Sequence, residues 1–272
     1  MRIEERTPAV VLRTRPYSES DKIVTFLTRD WGKVTGIAKG AKRSQRRFVN
    51  VLESFTHVLL RFRPSRGDDL AFIFGCDLLR AFRAPGQDLQ RYAFASYLAE
   101  LIDVMISGRE AGEEAYSLLL VGLTTLEEQL ELSPLFLSAF ELLLLMCTGY
   151  APNVTECQHC GLPVSALEEP TVFSPSRGGR LCMRCRDHGG MTIHLSNETA
   201  QVLDAAKVIA PASFLLTTPS PRACRETRAV VSSLLARHIT RPLKSQAFLE
   251  QLGALGDSHV DGPKGEDRKS VV

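Results

Sequence analysis

Four cysteines are set as Cys157-x-x-Cys160 and Cys182-x-x-Cys185, with about 21 residues between the pairs. Two knuckles of this kind can each wrap a loop onto one face of a tetrahedral Zn²⁺, whose borderline-soft character suits four thiolate sulfurs. A metal with all four corners taken by protein stabilises a fold and does not activate water, so the spacing points to one structural zinc and away from metal-assisted hydrolysis. Disulfides would need an oxidising compartment. The chain opens Met1-Arg2-Ile3-Glu4-Glu5-Arg6 with no apolar signal region, so a reducing cytoplasm is expected. A thioredoxin-like redox motif would sit beside a βαβ pattern, whereas Pro152, Pro163, Pro175 and Gly178-Gly179 make these surroundings loop-like. His159 and His188 lie close enough to replace a cysteine, although a lone histidine near a knuckle is more often a solvated loop residue. Cys76, Cys147 and Cys224 have no partner at ligand spacing and read as small packing groups.

The second chemistry is electrostatic. Lys39, Lys42, Arg43, Arg46 and Arg47 put five cations into nine residues, between a strand and the next element. Such a loop gains affinity for polyanions by releasing counterions from phosphates. Arg13, Arg15, Arg61 and Arg63 extend the patch if strand alternation turns them outward, and Tyr17, Phe48 and Phe62 adjoin the basic residues as candidates for base stacking. The plainer alternative is a solvated charged loop. Charge is also divided along the chain. Lys+Arg against Asp+Glu is 17 to 9 over residues 1–85, 2 to 10 over 86–150 and 14 to 12 over 151–272, so a net +8 in the first block faces a net −8 in the second. An anionic partner belongs with the first block.

Catalytic patterns do not emerge. The sequence has no G-x-x-x-x-G-K-[ST] phosphate loop, no H-E-x-x-H, no G-x-S-x-G and no H-x-E with P-C-x-x-C. His57, His194, His238 and His259 read as strand, helix-surface or loop residues, and Glu113-Glu114 and Glu127-Glu128 as solvated helix faces. A non-enzyme is expected. No apolar run reaches the roughly 18 residues that span a bilayer.

These residues need a scaffold. Ala9 to Arg13, Lys22 to Thr28, Lys33 to Ala38, Ser54 to Arg63 and Leu70 to Cys76 read as five short strands, with Arg29-Asp30-Trp31-Gly32 as a hairpin turn and Pro64 to Asp69 as a connection. Five strands in about 75 residues fit a small closed barrel of the OB type, with an open five-stranded sheet as the alternative. From Gln87 the period becomes helical. Helices are predicted from Asp88 to Gly108, Glu113 to Leu130, Leu135 to Thr148, Ser196 to Ile209, Arg222 to Ile239 and Leu243 to Leu252, the third being apolar nearly all round and therefore central. The expected class is α+β and multidomain, with an OB-type barrel over 1–85, an all-α domain over 86–150 and 191–252, a four-cysteine zinc-binding insertion over 151–190 and an unstructured tail over 253–272.

The stretch Thr14-Arg15-Pro16-Tyr17-Ser18-Glu19-Ser20-Asp21-Lys22-Ile23-Val24, then Thr28, Trp31-Gly32 and Ala38-Lys39-Gly40-Ala41-Lys42-Arg43, resembles the amino-terminal OB domain of the bacterial RecO family. Gly149-Tyr150-Ala151-Pro152, the cysteine quartet and Phe173-Ser174-Pro175 to Gly178-Gly179 are similar to the rest of it, so the resemblance covers about residues 1 to 252. It implies a non-enzymatic DNA repair and recombination mediator that binds single- and double-stranded DNA and anneals complementary strands. Together with RecR, such a mediator helps load RecA onto strands coated by single-strand-binding protein (SSB). It further implies contact with the acidic, hydrophobic C-terminal tail of SSB, indirect partnership with RecF and RecA, no membrane, and a cytoplasmic, nucleoid-associated location. Two rival classes remain at this point: a zinc-containing interaction adaptor with incidental nucleic-acid affinity, and a zinc-dependent nucleic-acid enzyme.

Overall fold

The computed structural model describes residues 4–44, 46–65, 70–108, 112–163, 170–239 and 241–253. Its first part is a closed barrel of β1 (Glu5–Pro16), β2 (Lys22–Thr28), β3 (Gly32–Ala38), β4 (His57–Arg63) and β5 (Ala71–Arg80), in the order β1-β2-β3-β5-β4 and back to β1. All pairs are antiparallel except β3 with β5, which is the strand order of an OB barrel and excludes the open sheet. β1 is longer than predicted because its first half pairs with β4 and its second half with β2, changing partner around a bulge between Val11 and Arg13. The parallel closure is short, and Gly36 makes it feasible. A Cβ there would lie 2.4 Å from the Ile73 side chain and 2.8 Å from the Ala71 carbonyl. The β2–β3 turn is as expected, with Gly32 at φ 61° and Thr28 Oγ1 accepting from Trp31 N and donating to the Gly32 carbonyl.

Alternation divides the barrel's side chains between two cores. Ala9, Val11, Val24, Phe26, Val58, Leu60, Phe62 and Ile73 fill the interior, while Val10, Leu12 and Leu27 face the other way and join the apolar core of the helices. One continuous hydrophobic cluster therefore welds barrel to helical body.

That body contains α1 (Ala84–Gln87), α2 (Leu89–Met105), α3 (Gly112–Glu128), α4 (Phe136–Cys147), α5 (Asn197–Ala205), α6 (Pro211–Phe214), α7 (Pro221–Leu235) and α8 (Lys244–Gln251). Asp88, Ser196 and Ser220 cap α2, α5 and α7 by accepting from the backbone N–H three residues on. As predicted, α4 is central, with Leu142 and Leu144 fully buried. Glu127 and Glu128 are anchors and not merely solvated: Glu127 accepts from Ala84 N at 2.7 Å, and Glu128 pairs with Arg80 at 3.1 Å.

The cysteine-bearing region departs from the loop-like expectation. β6 (Thr171–Ser174), β7 (Gly179–Cys182) and β8 (Ile193–Leu195) form an antiparallel sheet in the order β7-β6-β8. Residues 66–69 of the β4–β5 connection and 254–272 of the expected tail lie outside the described residues.

Candidate nucleic-acid interface and metal centre

The basic loop leaves β3 at Lys39 and turns at Gly40, whose φ of 70° is the left-handed conformation that glycine adopts without strain. Asp21 Oδ1 accepts from Gly40 N at 2.8 Å and from Ser20 Oγ at 2.9 Å, and these bonds, the Gly40 amide foremost, hold its carboxyl below the usual range. A 3₁₀ turn over Ala41–Arg43 follows. Lys42 ties the loop to the β1–β2 connection through Nζ to Ser18 O (2.6 Å) and its amide to Ser20 O (2.9 Å), and Arg47 closes it by donating to Lys39 O at 3.1 Å. All five cations, Lys39, Lys42, Arg43, Arg46 and Arg47, are exposed on this one loop, and exposed Tyr17 stands beside it.

Arg61 and Arg63 project outward from β4 and continue the charge. Over Gly75 of β5 the Arg61 guanidinium and the Arg47 carbonyl converge: a Cβ at that glycine would lie 2.7 Å from the first and 3.6 Å from the second. Arg61 also pairs loosely with Asp77 (3.7 Å) and Glu4 (4.0 Å). Arg13 is turned toward the helical body instead. It and Arg15 alternate to the same side of β1, where Arg13 Nε lies 3.1 Å from Asp103 on α2 while Arg15 stays exposed.

Two stacking candidates are displaced. Phe62 is 1% exposed inside the barrel, edge-on to Trp31 at 5.7 Å, and Phe48 is 5% exposed among the same core residues, so neither offers a face to a base. Besides exposed Tyr17, aromatics that face outward are Phe72 and Phe74 on β5. They are half-buried, 5.1 Å apart between ring centroids, and Arg63 lies over both at 5.4 and 5.9 Å. Period-2 spacing within L-A-F-I-F-G-C was the available signal for this pair.

The second site is a cluster of four thiols. Cys157 and Cys160 come from a small loop closed by Cys157 N to Leu162 O (2.8 Å) and Gly161 N to Cys157 O (2.9 Å). Cys182 ends β7, and Cys185 lies in the 3₁₀ segment Met183–Gly189. All four sulfurs lie within 4.8 Å of one another, with Cys157–Cys182 at 3.8 Å and Cys160–Cys182 at 3.9 Å. A regular tetrahedron with Zn–S of about 2.3 Å has edges of about 3.8 Å, and the cysteines are unbridged, so the donor set fits one thiophilic metal ion. The thiols are electrostatically unequal. Burial opposes ionisation of Cys157, yet the amides of Cys160, Cys182 and His159 outweigh it and hold the thiol at about 6, whereas burial and the neighbouring thiols push Cys185 up to about 12. A bound central cation would let all four carry charge together. His159 and His188 stay outside the quartet and stack on each other, 4.1 Å between centroids.

The surrounding apolar core is small, chiefly Val172 and Leu181 with three of the cysteines. Phe173 and Leu195 of the same sheet join the main apolar core instead, and polar contacts anchor the sheet further. Buried Arg180 donates to Thr171 Oγ1 and Asn197 Oδ1, and Glu226 of α7 accepts from Ser196 N, Ser196 Oγ and Thr199 Oγ1. Burial alone would raise the Glu226 carboxyl, but these bonds and Arg222 hold it at about 2.

A third feature lies in the helical body, where a cavity of about 1140 Å³ opens between α2, α4, α7 and α8. Arg91, Arg225, Arg228 and Arg241 line it together with Phe94 and Leu137. Among the described residues, no helix is long and apolar enough to cross a membrane.

The class defined by this architecture is an OB-barrel protein with a cationic loop, backed by a helical body that carries a cluster of four cysteines able to hold one metal ion. Residues 1–82 match the family described as Recombination protein O N terminal, and residues 86–247 match Recombination protein O C terminal. The chain is 35% identical over 246 residues to the DNA repair protein RecO of Anaeromyxobacter sp. (strain K), covering 90% of this chain and 96% of that relative. It is 33% identical over 257 residues to the DNA repair protein RecO of Syntrophus aciditrophicus, covering 94% and 98%, and 34% identical over 247 residues to that of Geobacter metallireducens, covering 91% and 97%. The chain belongs to the RecO family of DNA repair proteins.

Proposed function

We propose that this protein binds single- and double-stranded DNA through the cationic loop of its barrel and anneals complementary strands. The observation that carries the reading is the convergence of Lys39, Lys42, Arg43, Arg46 and Arg47 on one exposed loop, continuous with Arg61 and Arg63. Exposed cations hold phosphates without reading sequence, and they screen the repulsion between two strands as they meet. Arg13 contributes through the field, since its guanidinium is held by Asp103, while exposed Arg15 is free to reach phosphates.

In this reading the protein is a mediator and not an enzyme. It acts in the bacterial cytoplasm on the nucleoid and, with RecR, helps load RecA onto SSB-coated single strands, with RecF as an indirect partner. The acidic, apolar C-terminal tail of SSB suits the cavity in the helical body. Its four arginines offset a locally acidic block, and Phe94 and Leu137 offer apolar walls. Cys157, Cys160, Cys182 and Cys185 hold one Zn²⁺, which when bound cross-links the two knuckles where the local apolar core is small.

The test is a fluorescence annealing assay with complementary oligonucleotides, with and without SSB, across a salt series. Annealing that accelerates with the protein and fades with rising salt supports the reading. Negligible, salt-insensitive affinity for oligonucleotides contradicts it.

A further inference from the structure

Phe72 and Phe74 are anomalous as strand residues. Along β5, Ala71, Ile73 and Cys76 fill the barrel, and the alternate positions on the outer face carry two phenylalanines where a solvated sheet face usually carries polar side chains. The rings meet edge to face at 5.1 Å with 63° between planes, so together they present more than one orientation of π surface. Their neighbours are specific. Across the ladder Phe72 sits opposite Arg63 of β4 on one side and Ile37 of β3 on the other, and the Arg63 guanidinium covers both rings. Beyond Phe74 comes Gly75, where a side chain is missing and Arg61 lies across the strand. One residue later the Cys76 amide donates to the Arg47 carbonyl, at the root of the cationic loop. Aromatic faces, intercalated guanidinium groups and phosphate-binding cations thus form one continuous strip.

We propose that Phe72 and Phe74, with Arg63, form a stacking platform for the unpaired bases of a single strand whose phosphates lie on the Lys39–Arg47 loop. Every base has a π face, so such a platform needs no sequence preference. A duplex hides its bases and gains nothing from it. The platform therefore separates the two DNA forms chemically: the cations serve both, the rings serve only the single strand, and a strand already held by its phosphates is oriented for pairing. The proposal rests on the reading that the barrel binds DNA.

Three probes separate the contributions by fluorescence anisotropy: a thymidine oligomer of about 15 nucleotides, a base-free deoxyribose-phosphate oligomer of the same length, and a duplex. The wild-type protein is expected to bind the thymidine oligomer about tenfold tighter than the base-free one. In Phe72→Leu/Phe74→Leu, which keeps apolar bulk but removes the rings, that preference is expected to vanish while duplex affinity and the salt dependence stay unchanged. Phe72→Tyr/Phe74→Tyr is expected to retain it. A wild-type protein that binds both oligomers equally well overturns the platform while leaving the cationic loop intact. A preference that survives in the leucine variant, or a parallel loss of single-strand and duplex binding, overturns it as well. A wild-type protein that binds none of the three probes overturns the underlying reading with it. Trp31 emission, from the single tryptophan of the chain, reports whether each variant's barrel is folded.

Discussion

Arg13 Nε of β1 lies 3.1 Å from Asp103 Oδ2 of α2, joining the barrel to the helical body through a carboxylate that is almost wholly buried. Asp103 takes two further cations, Lys33 of β3 at 3.4 Å and Arg241 at 3.7 Å, and its carbonyl accepts from Lys33 Nζ at 2.6 Å. One acid thus gathers three segments of chain, in a groove that Glu100 also lines while capping α8 through Ser245. Asp103→Ala is expected to cost about 2 kcal/mol, below the roughly 3 to 5 kcal/mol of a fully buried broken ion pair because the two guanidinium groups left behind are more than half exposed. Trp31 emission follows the barrel and far-ultraviolet circular dichroism follows the helices. Their unfolding midpoints are expected to coincide in the wild-type protein and to separate in the variant; coincident midpoints in both would show that the apolar seam alone couples the parts.

Cys157→Ser should remove the metal and lower the thermal midpoint, because the apolar core beside the two knuckles consists of little more than Val172 and Leu181, even though Phe173 and Leu195 tie the sheet to the main core. Metal analysis is expected to give about one zinc per wild-type chain and almost none in the variant. DNA affinity should persist, since no loop cation belongs to that sheet; a parallel loss of DNA binding would make the metal more than a scaffold.

Glu141 of α4 gives a pH prediction. Its carboxyl is buried and accepts from Tyr97 OH; burial raises it to about 7, while the Tyr97 bond and nearby Arg228 pull in the opposite sense. The folded state therefore keeps a proton that the unfolded chain releases near the ordinary carboxylate value. Stability from this group is complete below about 4.5, and it is lost as pH rises through about 7. Glu141→Gln, neutral throughout and able to accept the same bond, is expected to gain on the wild type by on the order of 3 kcal/mol between pH 5 and pH 8. Thermal melts at the two pH values read this directly, and a pH-independent difference would contradict it.

Phe48→Leu tests the reassignment of that side chain to the barrel core. The expected outcome is destabilisation of about 1 to 2 kcal/mol by Trp31 emission, with single-strand affinity unchanged. Weakened oligonucleotide binding at full stability would return Phe48 to the binding surface.

How far the sequence could be read depended on whether a signal was periodic. Alternation and turn chemistry around Gly32 made the five strands legible, and the 3.6-residue period did the same for the long helices. Alternation also carried information about Phe62: flanked by Arg61 and Arg63, it had to face opposite to them, into the barrel, whereas Phe72 and Phe74 share an outward face. Phe48 lies in an irregular segment with no period, and only packing shows that it plugs the barrel interior. The partner of Arg13 was invisible because Asp103 is about 90 residues away and meets it only through tertiary structure. The small sheet was hidden by strands of three or four residues among glycines and prolines, too short for a pattern to develop. Fixed spacing singles out candidate thiolate ligands, so the quartet that the fold brings together was legible.

The central claim is that the Lys39–Arg47 loop grips phosphates, and a salt titration tests it most directly. Single-strand affinity is measured against salt concentration for the wild-type protein and for Lys42→Glu/Arg43→Glu/Arg46→Glu/Arg47→Glu, with Trp31 emission confirming a folded barrel. Each phosphate contact on a single strand contributes about 0.7 to the slope of log affinity against log salt, so losing four contacts should weaken binding and flatten the slope by about 3. An unchanged affinity and slope would place the DNA surface elsewhere on the molecule and contradict the account.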